Sequence, residues 1–282
     1  MSVTPTLGSV AFAVRDTTRP LLVLGPSLGT SSLALWQDVV PLLSDHYDLL
    51  GWDLPGHGVS PQVASDSLDG MTMEDLTTAV LGQVEEAQKV RGDLGAPFWY
   101  AGVSVGGAVG FHLLLDHPDH LLGAALICTA PTFGEPGPWL DRAKTVQASG
   151  TPTQVVGSGQ RWFAPGFIEK NKEVALRLLG SLQVADRFGY AAVARALASY
   201  DVTSRYAQIT RPLLSIQGAL DPVSPPSAME PVVEAINAVT PELARLEILD
   251  GVAHLAPAED APRTAALLRD FMTTAASASQ EV

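Results

Sequence analysis

A glycine-flanked serine between a strand pattern and a helix pattern constrains this chain more than any other stretch. The run GVSVGG at 102–107 follows an apolar, β-prone run at 97–101 and precedes an apolar segment with helical character at 108–115. Glycines two residues before and two after a serine permit a sharp turn that lifts the serine hydroxyl off the backbone. The turn also sets Ser104 at a helix N-terminus, where free N–H groups favour developing negative charge. The run predicts a nucleophilic serine, with a Gly-rich turn in another α/β protein as the alternative.

Composition limits the chemistry that such a serine could perform. The chain has 282 residues, of which 46% are hydrophobic and 17% charged, enough for one large α/β domain with an insertion or for two modest domains. Its formal charge of −13, with no basic stripe, argues against nucleic-acid binding. Residues 1–6 lack signal-peptide features, and no apolar run approaches the roughly 18 residues of a membrane span. We therefore expect a soluble, cytoplasmic protein without membrane contact.

Metal and cofactor chemistry is not expected from the cysteine and histidine content. Cys128 is the single cysteine, and its position inside the apolar run 121–128 predicts a buried core thiol. No cluster of cysteine and histidine has the spacing of a structural zinc site. We predict that the chain uses neither a metal nor an organic cofactor.

Alternating strand and helix patterns predict an α/β fold with a mostly parallel sheet flanked by helices. The strand patterns occur at 10–14, 20–25, 47–52, 97–101, 121–128, 212–218 and 243–249. The helical patterns between them occur at 36–43, 73–90, 108–115, 228–239 and 258–272, and residues 277–282 resemble a frayed tail. A chain of this kind carries its ligand site at the carboxyl ends of the strands.

Residues 131–208 interrupt the alternation. They contain no strong strand pattern but several short helical stretches broken by Gly and Pro, at 139–147, 153–163, 167–182 and 185–200. We predict a core formed by 1–130 and 209–282, with a helical lid inserted at 131–208. Helices that simply cover the sheet are the alternative.

Two ionisable residues follow later strands in the order that a serine nucleophile requires. Asp221 comes after the strand ending at Gly218, and His254 comes after the last strand. A serine hydroxyl becomes a good nucleophile when an imidazole takes its proton, and a carboxylate orients that imidazole and stabilises its charged form. The order Ser104, Asp221, His254 is that of the α/β-hydrolase fold. An Asp that forms a turn before Pro222, and a His satisfied within a loop, are the alternatives.

Attack by Ser104 creates an oxyanion that needs preorganised donors, each worth about 3 kcal/mol. The amide of Val105 at the helix start is one candidate. The amide of Leu28, in the loop PSLGT at 26–30 after an early strand, is the other.

Other histidines are expected to be structural. His57 and Asp53 lie in the turn DLPGHG at 53–58, where hydrogen bonds commonly brace a tight turn. His112, His117 and His120 lie in or just beyond the helix after the serine and are expected to be surface or packing residues.

Across about residues 10–272 the chain resembles the α/β-hydrolase superfamily, and within it the 3-oxoadipate enol-lactonases. The resemblance rests on LLVL at 21–24 with SLGT at 27–30, on GHGVS at 56–60, on CTAP at 128–131, on Trp139 with Arg142, and on RWF at 161–163. It implies a ring-opening hydrolase of the β-ketoadipate route of aromatic catabolism.

The substrate implied by this resemblance is a lactone that bears a carboxylate. A guanidinium in a partly desolvated pocket suits a carboxylate through bidentate hydrogen bonds. The candidates are Arg142 and Arg161, with Trp139 and Trp162 as apolar walls, although each could equally be a surface or packing residue of the lid. A carboxylesterase of the same fold and a non-catalytic ligand-binding protein are the rival functions. The partner in any case is a small lactone or ester, and the sequence leaves open whether the chain forms a homo-oligomer.

Overall fold

The structure is a computed structural model that describes residues 3–13, 17–65 and 67–278. Across these residues seven strands form one sheet in the order β1-β3-β2-β4-β5-β6-β7. The strands are β1 (Gly8–Ala13), β2 (Leu21–Gly25), β3 (Asp48–Asp53), β4 (Phe98–Val103), β5 (Leu121–Ile127), β6 (Leu213–Gly218) and β7 (Ala244–Leu249). β1 pairs antiparallel with β3, and every other pair is parallel. The mostly parallel sheet predicted from the alternation is confirmed.

Burial explains why the central strands are continuous apolar runs. Every residue of β2, β3, β4 and β6 is buried, whereas the edge strands β1 and β7 contain partly exposed positions. Parallel strands covered by helices on both faces require this composition. The strand β4, which precedes Ser104, lies between β2 and β5 near the middle of the sheet.

Twelve α-helices lie within the described ranges. They are α1 (Ser32–Trp36), α2 (Val40–Leu43), α3 (Met73–Arg91), α4 (Val105–Asp116), α5 (Pro136–Ser149), α6 (Val155–Trp162), α7 (Phe167–Lys170), α8 (Lys172–Val184), α9 (Arg187–Ala198), α10 (Glu230–Val239), α11 (Ala256–Glu259) and α12 (Ala261–Ala278). None of these combines the length and the apolar character that crossing a lipid bilayer requires.

Several boundaries differ from the sequence patterns for local reasons. The single helix expected at 36–43 is two short helices, because Pro41 has no N–H for a continuous ladder and instead lies in the first turn of α2. The stretch 167–182 is broken at Asn171, whose φ of −126° and ψ of 54° are not helical. The last helix begins at Ala261, after α11, and runs to Ala278 instead of fraying from Ser277. The proposed strand residue Val14 and the tail 279–282 lie outside the described residues.

The helices α5 to α9 form a helical insertion (131–208) between β5 and β6. Its two ends are joined at the base, where Thr132 and Asp201 form an antiparallel bridge and the Val202 amide donates to Pro131. The insertion also contacts the loops at the carboxyl edge of the sheet. The Ser31 amide donates to Ser181 Oγ at 2.8 Å. The insertion therefore covers the strand ends at which the candidate site residues lie.

Candidate active site

The turn after β4 holds Ser104 in a backbone conformation that is rare for a non-glycine residue. Its φ is 56° and its ψ is −114°. A Cβ atom at Gly102 would overlap the carbonyl of Gly106, and a Cβ atom at Gly106 would lie 2.7 Å from the carbonyl oxygen of Pro26. Both glycines are thus required by close backbone approach, as the motif predicts.

Two further side chains, which the sequence analysis did not identify, fix this turn. Thr129 Oγ1 donates to the Ser104 carbonyl at 2.8 Å, and its side chain packs where a Cβ atom at Gly107 would be. Tyr100 Oη donates to the Gly106 carbonyl at 2.7 Å. Thr129 contacts the turn from just beyond β5 and therefore carries no local sequence signal, whereas Tyr100 lies in β4, six residues before its acceptor.

Replacing Gly106 with alanine is expected to lower the free energy of unfolding by about 2 kcal/mol or more, because overpacking against the Pro26 backbone forces the turn to shift. Urea denaturation measures this loss. Gly82→Ala is the matched control, since Gly82 lies in α3 with no atom within 4 Å of the added Cβ atom. It should stabilise the helix by up to about 1 kcal/mol. Equal effects of the two substitutions would contradict the steric argument.

Asp221 and His254 are brought together beyond β6 and β7. The His254 Nδ1 atom lies 2.8 Å from Asp221 Oδ2, and both side chains are almost fully buried. Because a carboxylate only accepts hydrogen bonds, Nδ1 carries the proton and Nε2 keeps a free lone pair. A neutral imidazole in this tautomer can take a proton from a hydroxyl group.

The Asp221 carboxylate is oriented by a turn that the sequence analysis recognised only in part. Oδ1 accepts from the amides of Val223 at 2.8 Å and Ser224 at 3.2 Å. Oδ2 accepts from Ser224 Oγ at 2.9 Å in addition to His254. A serine three residues after an aspartate is a signal for such a local turn. Asp221 is therefore a turn-forming residue and a histidine partner at once.

The loop before His254 lies against the ends of β5 and β6. Cys128 Sγ lies 3.5 Å from the Ala253 carbonyl oxygen, and Gly218 packs directly beneath that carbonyl. Cys128 is a free, buried thiol, as predicted, and burial raises its pKa. Ser104 is itself buried, with 7% of its surface exposed.

The two amides predicted to form an oxyanion hole lie on segments that are joined by a hydrogen bond. The Gly106 amide donates to the Pro26 carbonyl at 3.0 Å and thereby holds the 26–30 loop against the serine turn. Val105 is the first residue of α4, whose amide has no acceptor within the helix. In the part of the chain that the structure describes, the Leu28 amide also donates to no other group.

The histidine in the turn after β3 has a structural environment. His57 Nδ1 lies 2.8 Å from the Pro55 carbonyl oxygen, and burial lowers the pKa of His57 to about 4. His57 is therefore neutral at neutral pH. Asp53 accepts hydrogen bonds from the amides of Ser32 at 2.6 Å and Val59 at 2.8 Å. These contacts brace the turn, as the sequence analysis expected.

Trp162 connects the insertion to both loops of the site. Its ring lies over Gly29, where an added Cβ atom would be 3.3 Å from Trp162 Cζ2. Its carbonyl accepts a hydrogen bond from the His254 amide at 3.2 Å. Trp162 is buried, and these two contacts place it between the Leu28 loop and the His254 loop.

Arg142 and Arg161 lie together in the insertion beside Tyr190. The Arg142 guanidinium lies 4.4 Å from the centroid of the Trp139 ring. Burial raises the pKa of Tyr190, and the charges of Arg142 and Arg161 act in the opposite direction. Burial and the charge of Arg142 both lower the pKa of Arg161. Within the described ranges, neither arginine forms an ion pair with an acidic side chain. Two partly buried cations without a carboxylate form a positive site in an otherwise acidic protein.

A family model described as serine aminopeptidase, S33, matches residues 16–261. The chain belongs to the α/β-hydrolase superfamily. The match covers the whole sheet from β2 to β7 and the helical insertion. In α/β-hydrolases the nucleophile follows a strand on a turn of the kind found at Ser104.

Several relatives of this α/β-hydrolase are ester or lactone hydrolases by name. A 3-oxoadipate enol-lactonase 2 of Acinetobacter baylyi is 32% identical over 206 residues, 73% of either chain. The crystal structure of an enol-lactonase from Burkholderia xenovorans has a TM-score of 0.84 and 29% identity, with 95% of this chain and 96% of that one covered. A pimeloyl-[acyl-carrier protein] methyl ester esterase of Vibrio vulnificus is 26% identical over 78% of this chain and 83% of its own length. Hydrolysis with a serine nucleophile is the chemistry that the superfamily and these relatives support.

Proposed function

We propose that the chain is a serine hydrolase that converts 3-oxoadipate enol-lactone to 3-oxoadipate in the cytoplasmic breakdown of aromatic compounds. The observation that carries this proposal is the pair Arg142 and Arg161, which has no acidic partner among the described residues and adjoins Trp162 at the site. A carboxylated substrate supplies the missing anion. The similarity to the enol-lactonases of Acinetobacter baylyi and Burkholderia xenovorans supports the same substrate class.

The proposed reaction begins with attack of Ser104 Oγ on the lactone carbonyl, while His254 Nε2 takes the hydroxyl proton. Asp221, 2.8 Å from Nδ1, stabilises the imidazolium that forms. The amides of Leu28 and Val105 stabilise the oxyanion. Collapse of the tetrahedral intermediate breaks the ring C–O bond, and His254 returns its proton to the leaving enol oxygen. Because the substrate is a ring, this leaving group stays attached to the acyl chain.

The second half of the reaction releases the opened product. His254 takes a proton from water, which attacks the acyl carbonyl, and the bond to Ser104 Oγ breaks as the proton returns to that oxygen. The product is a dicarboxylate with one more negative charge than the lactone.

The insertion is proposed to act as a lid that recognises the substrate carboxylate. Arg142 and Arg161 can each donate two parallel hydrogen bonds to a carboxylate, and partial burial strengthens these bonds. Trp139 provides an apolar wall next to the Arg142 guanidinium, and Trp162 provides one over Gly29. Tyr190 lies beside both guanidinium groups, whose charges act to lower its pKa.

Replacing Arg161 with glutamine tests this assignment. For freshly generated 3-oxoadipate enol-lactone, followed by its loss of absorbance, we expect kcat/KM to fall about 10- to 100-fold, mainly through a higher KM, because a charged hydrogen bond is lost. For neutral p-nitrophenyl acetate, kcat/KM should stay within about twofold of wild type, because this ester has no carboxylate to bind. Arg187→Gln, an exposed substitution in the same insertion, is the charge-matched control.

Three other outcomes would each contradict part of the proposal. A wild-type protein that cleaves neutral esters but leaves the lactone intact is a carboxylesterase. Equal losses for the lactone and the neutral ester in Arg161→Gln would show that Arg161 does not recognise the carboxylate. Tight lactone binding with hydrolysis no faster than that of Ser104→Ala would indicate a ligand-binding protein.

A further inference from the structure

Glu259 connects the insertion to the loop that carries His254. It is the last residue of α11, five positions after the histidine. Its Oε1 atom accepts a hydrogen bond from the Ala253 amide at 2.9 Å, and its Oε2 atom accepts one from the Ala164 amide at 2.7 Å. Ala253 directly precedes His254, and Ala164 follows Trp162 by two residues. One carboxylate therefore bridges two segments that are remote in sequence.

A second contact runs parallel to this bridge. The His254 amide donates to the Trp162 carbonyl at 3.2 Å. Two consecutive amides of the histidine loop are thus attached to residues 162–164, one directly and one through Glu259. Arg161, the proposed carboxylate-binding residue, immediately precedes this segment.

Burial makes the carboxylate at this position costly. Desolvation raises the pKa of Glu259, while the hydrogen bonds from the amides of Ala164 and Ala253 act in the opposite direction. A side chain that only capped a helix would not need to face two amides from different segments. The charged acceptor is what allows both amides to be satisfied at once.

We propose that Glu259 is a positioning residue that couples the 162–164 segment of the insertion to the His254 loop, so that a ligand held by the insertion orients the general base. This inference rests on the proposed roles of Ser104 and His254, and it does not depend on which ester or lactone is the substrate.

Glutamine cannot replace Glu259 in this role. Its amide has the same shape but a single acceptor oxygen, whereas both groups that it faces are N–H donors. One of them must then confront the glutamine NH₂ group, which leaves a buried donor without an acceptor. The bridge to either Ala164 or Ala253 is lost, and the position of His254 relative to Ser104 becomes less defined.

Labelling of Ser104 by a fluorophosphonate tests the proposal without any assumption about the substrate. Ser104 Oγ attacks phosphorus, fluoride leaves, and His254 accepts the hydroxyl proton. For Glu259→Gln we expect the maximum labelling rate to fall about tenfold with little change in the reagent concentration at half-maximal rate, because the loss of one buried hydrogen bond misplaces the base without altering reagent binding.

Asp260→Asn is the matched control. It removes the same charge one residue later, and Asp260 Oδ1 accepts from the Arg263 amide at the start of α12, a capping contact that asparagine also makes. Its labelling rate should stay within about twofold of wild type. An equal loss in Asp260→Asn and Glu259→Gln would overturn the proposal, because general loss of charge would then explain both.

Ala164→Pro removes the insertion's end of the bridge, so its labelling rate should fall about as far as that of Glu259→Gln. Proline removes the N–H that Oε2 accepts, and Phe163, with φ −120° and ψ 142°, has the conformation preferred before proline. In the double variant, glutamine can direct its oxygen to Ala253 without facing a second donor. Adding Glu259→Gln to Ala164→Pro should therefore slow labelling by less than about threefold. A tenfold further loss in the double variant would overturn the coupling.

The outcomes also separate this inference from the proposed function. Wild-type labelling rates in a folded Glu259→Gln variant, or losses explained by its unfolded fraction in urea denaturation, would overturn the role of Glu259. A wild-type protein that the reagent does not label would overturn the triad and this inference together. A protein that is labelled, shows the Glu259 effect and leaves the enol-lactone intact would overturn the substrate assignment and support the coupling.

Discussion

Ser104→Ala is expected to lower kcat for the lactone and for neutral esters by at least about 10⁴-fold while the protein remains folded. The substitution removes the nucleophilic oxygen but keeps the Cβ atom that the turn already accommodates at φ 56°. The Ser104 carbonyl still accepts from Thr129 Oγ1. Turnover and fluorophosphonate labelling measure the catalytic loss, and urea denaturation measures the stability.

A control for this variant is Ser277→Ala, an exposed serine of α12 whose Oγ donates only to the helix carbonyl of Thr273 at 3.0 Å. It should retain wild-type turnover and labelling. If Ser104→Ala kept a substantial part of the wild-type rate, Ser104 would not be the nucleophile and the proposed mechanism would be wrong.

Asp221→Asn is expected to reduce turnover about 10³- to 10⁴-fold, because the hydrogen-bond pattern forces the asparagine into the wrong orientation. Oδ1 accepts from two backbone amides, so the asparagine oxygen must remain at that position. Its NH₂ group then faces His254 Nδ1. An imidazole that accepts at Nδ1 carries its proton on Nε2, where it can no longer take the proton of Ser104.

Ser224→Ala tests the orientation of the Asp221 carboxylate without removing its charge. It removes one hydrogen bond to Oδ2 and leaves the histidine contact, so a loss of about tenfold or less is expected. Single-turnover labelling at several pH values measures both variants. Near-wild-type rates in Asp221→Asn would show that the 2.8 Å contact does not control the tautomer of His254.

Much of the fold was predictable because its strands are buried on both faces. A continuous apolar run such as 20–25 indicates a strand whatever its neighbours are, and β2 occupies Leu21–Gly25. Helix boundaries were less predictable, since they depend on single residues. Pro41 divides one expected helix into two, and Asn171 separates α7 from α8. The order of strands in the sheet, in which β3 lies between β1 and β2, came from the structure.

The candidate site also has residues that could be predicted from the sequence and residues that could not. Ser104, Asp221 and His254 were predicted from the sequence because each follows a strand and has a local context that suits the proposed chemistry. The residues that hold them could not be found in this way. Thr129 acts across strand ends, and Glu259 acts between the insertion and the core. An ordinary threonine or glutamate acquires such a role only when non-local contacts bring its partners within reach.

The location of the insertion also affects how the chain folds during its synthesis. β5 pairs with β6 through residues as distant as Ala124 and Leu213, so the whole insertion lies inside the loop that this pairing closes. Pairings between such distant segments form slowly. A nascent chain that has emerged from the ribosome only as far as β7 already contains Ser104 and Asp221 but lacks His254. In the proposed mechanism its serine therefore stays an unactivated alcohol until the loop that carries His254 has been synthesised.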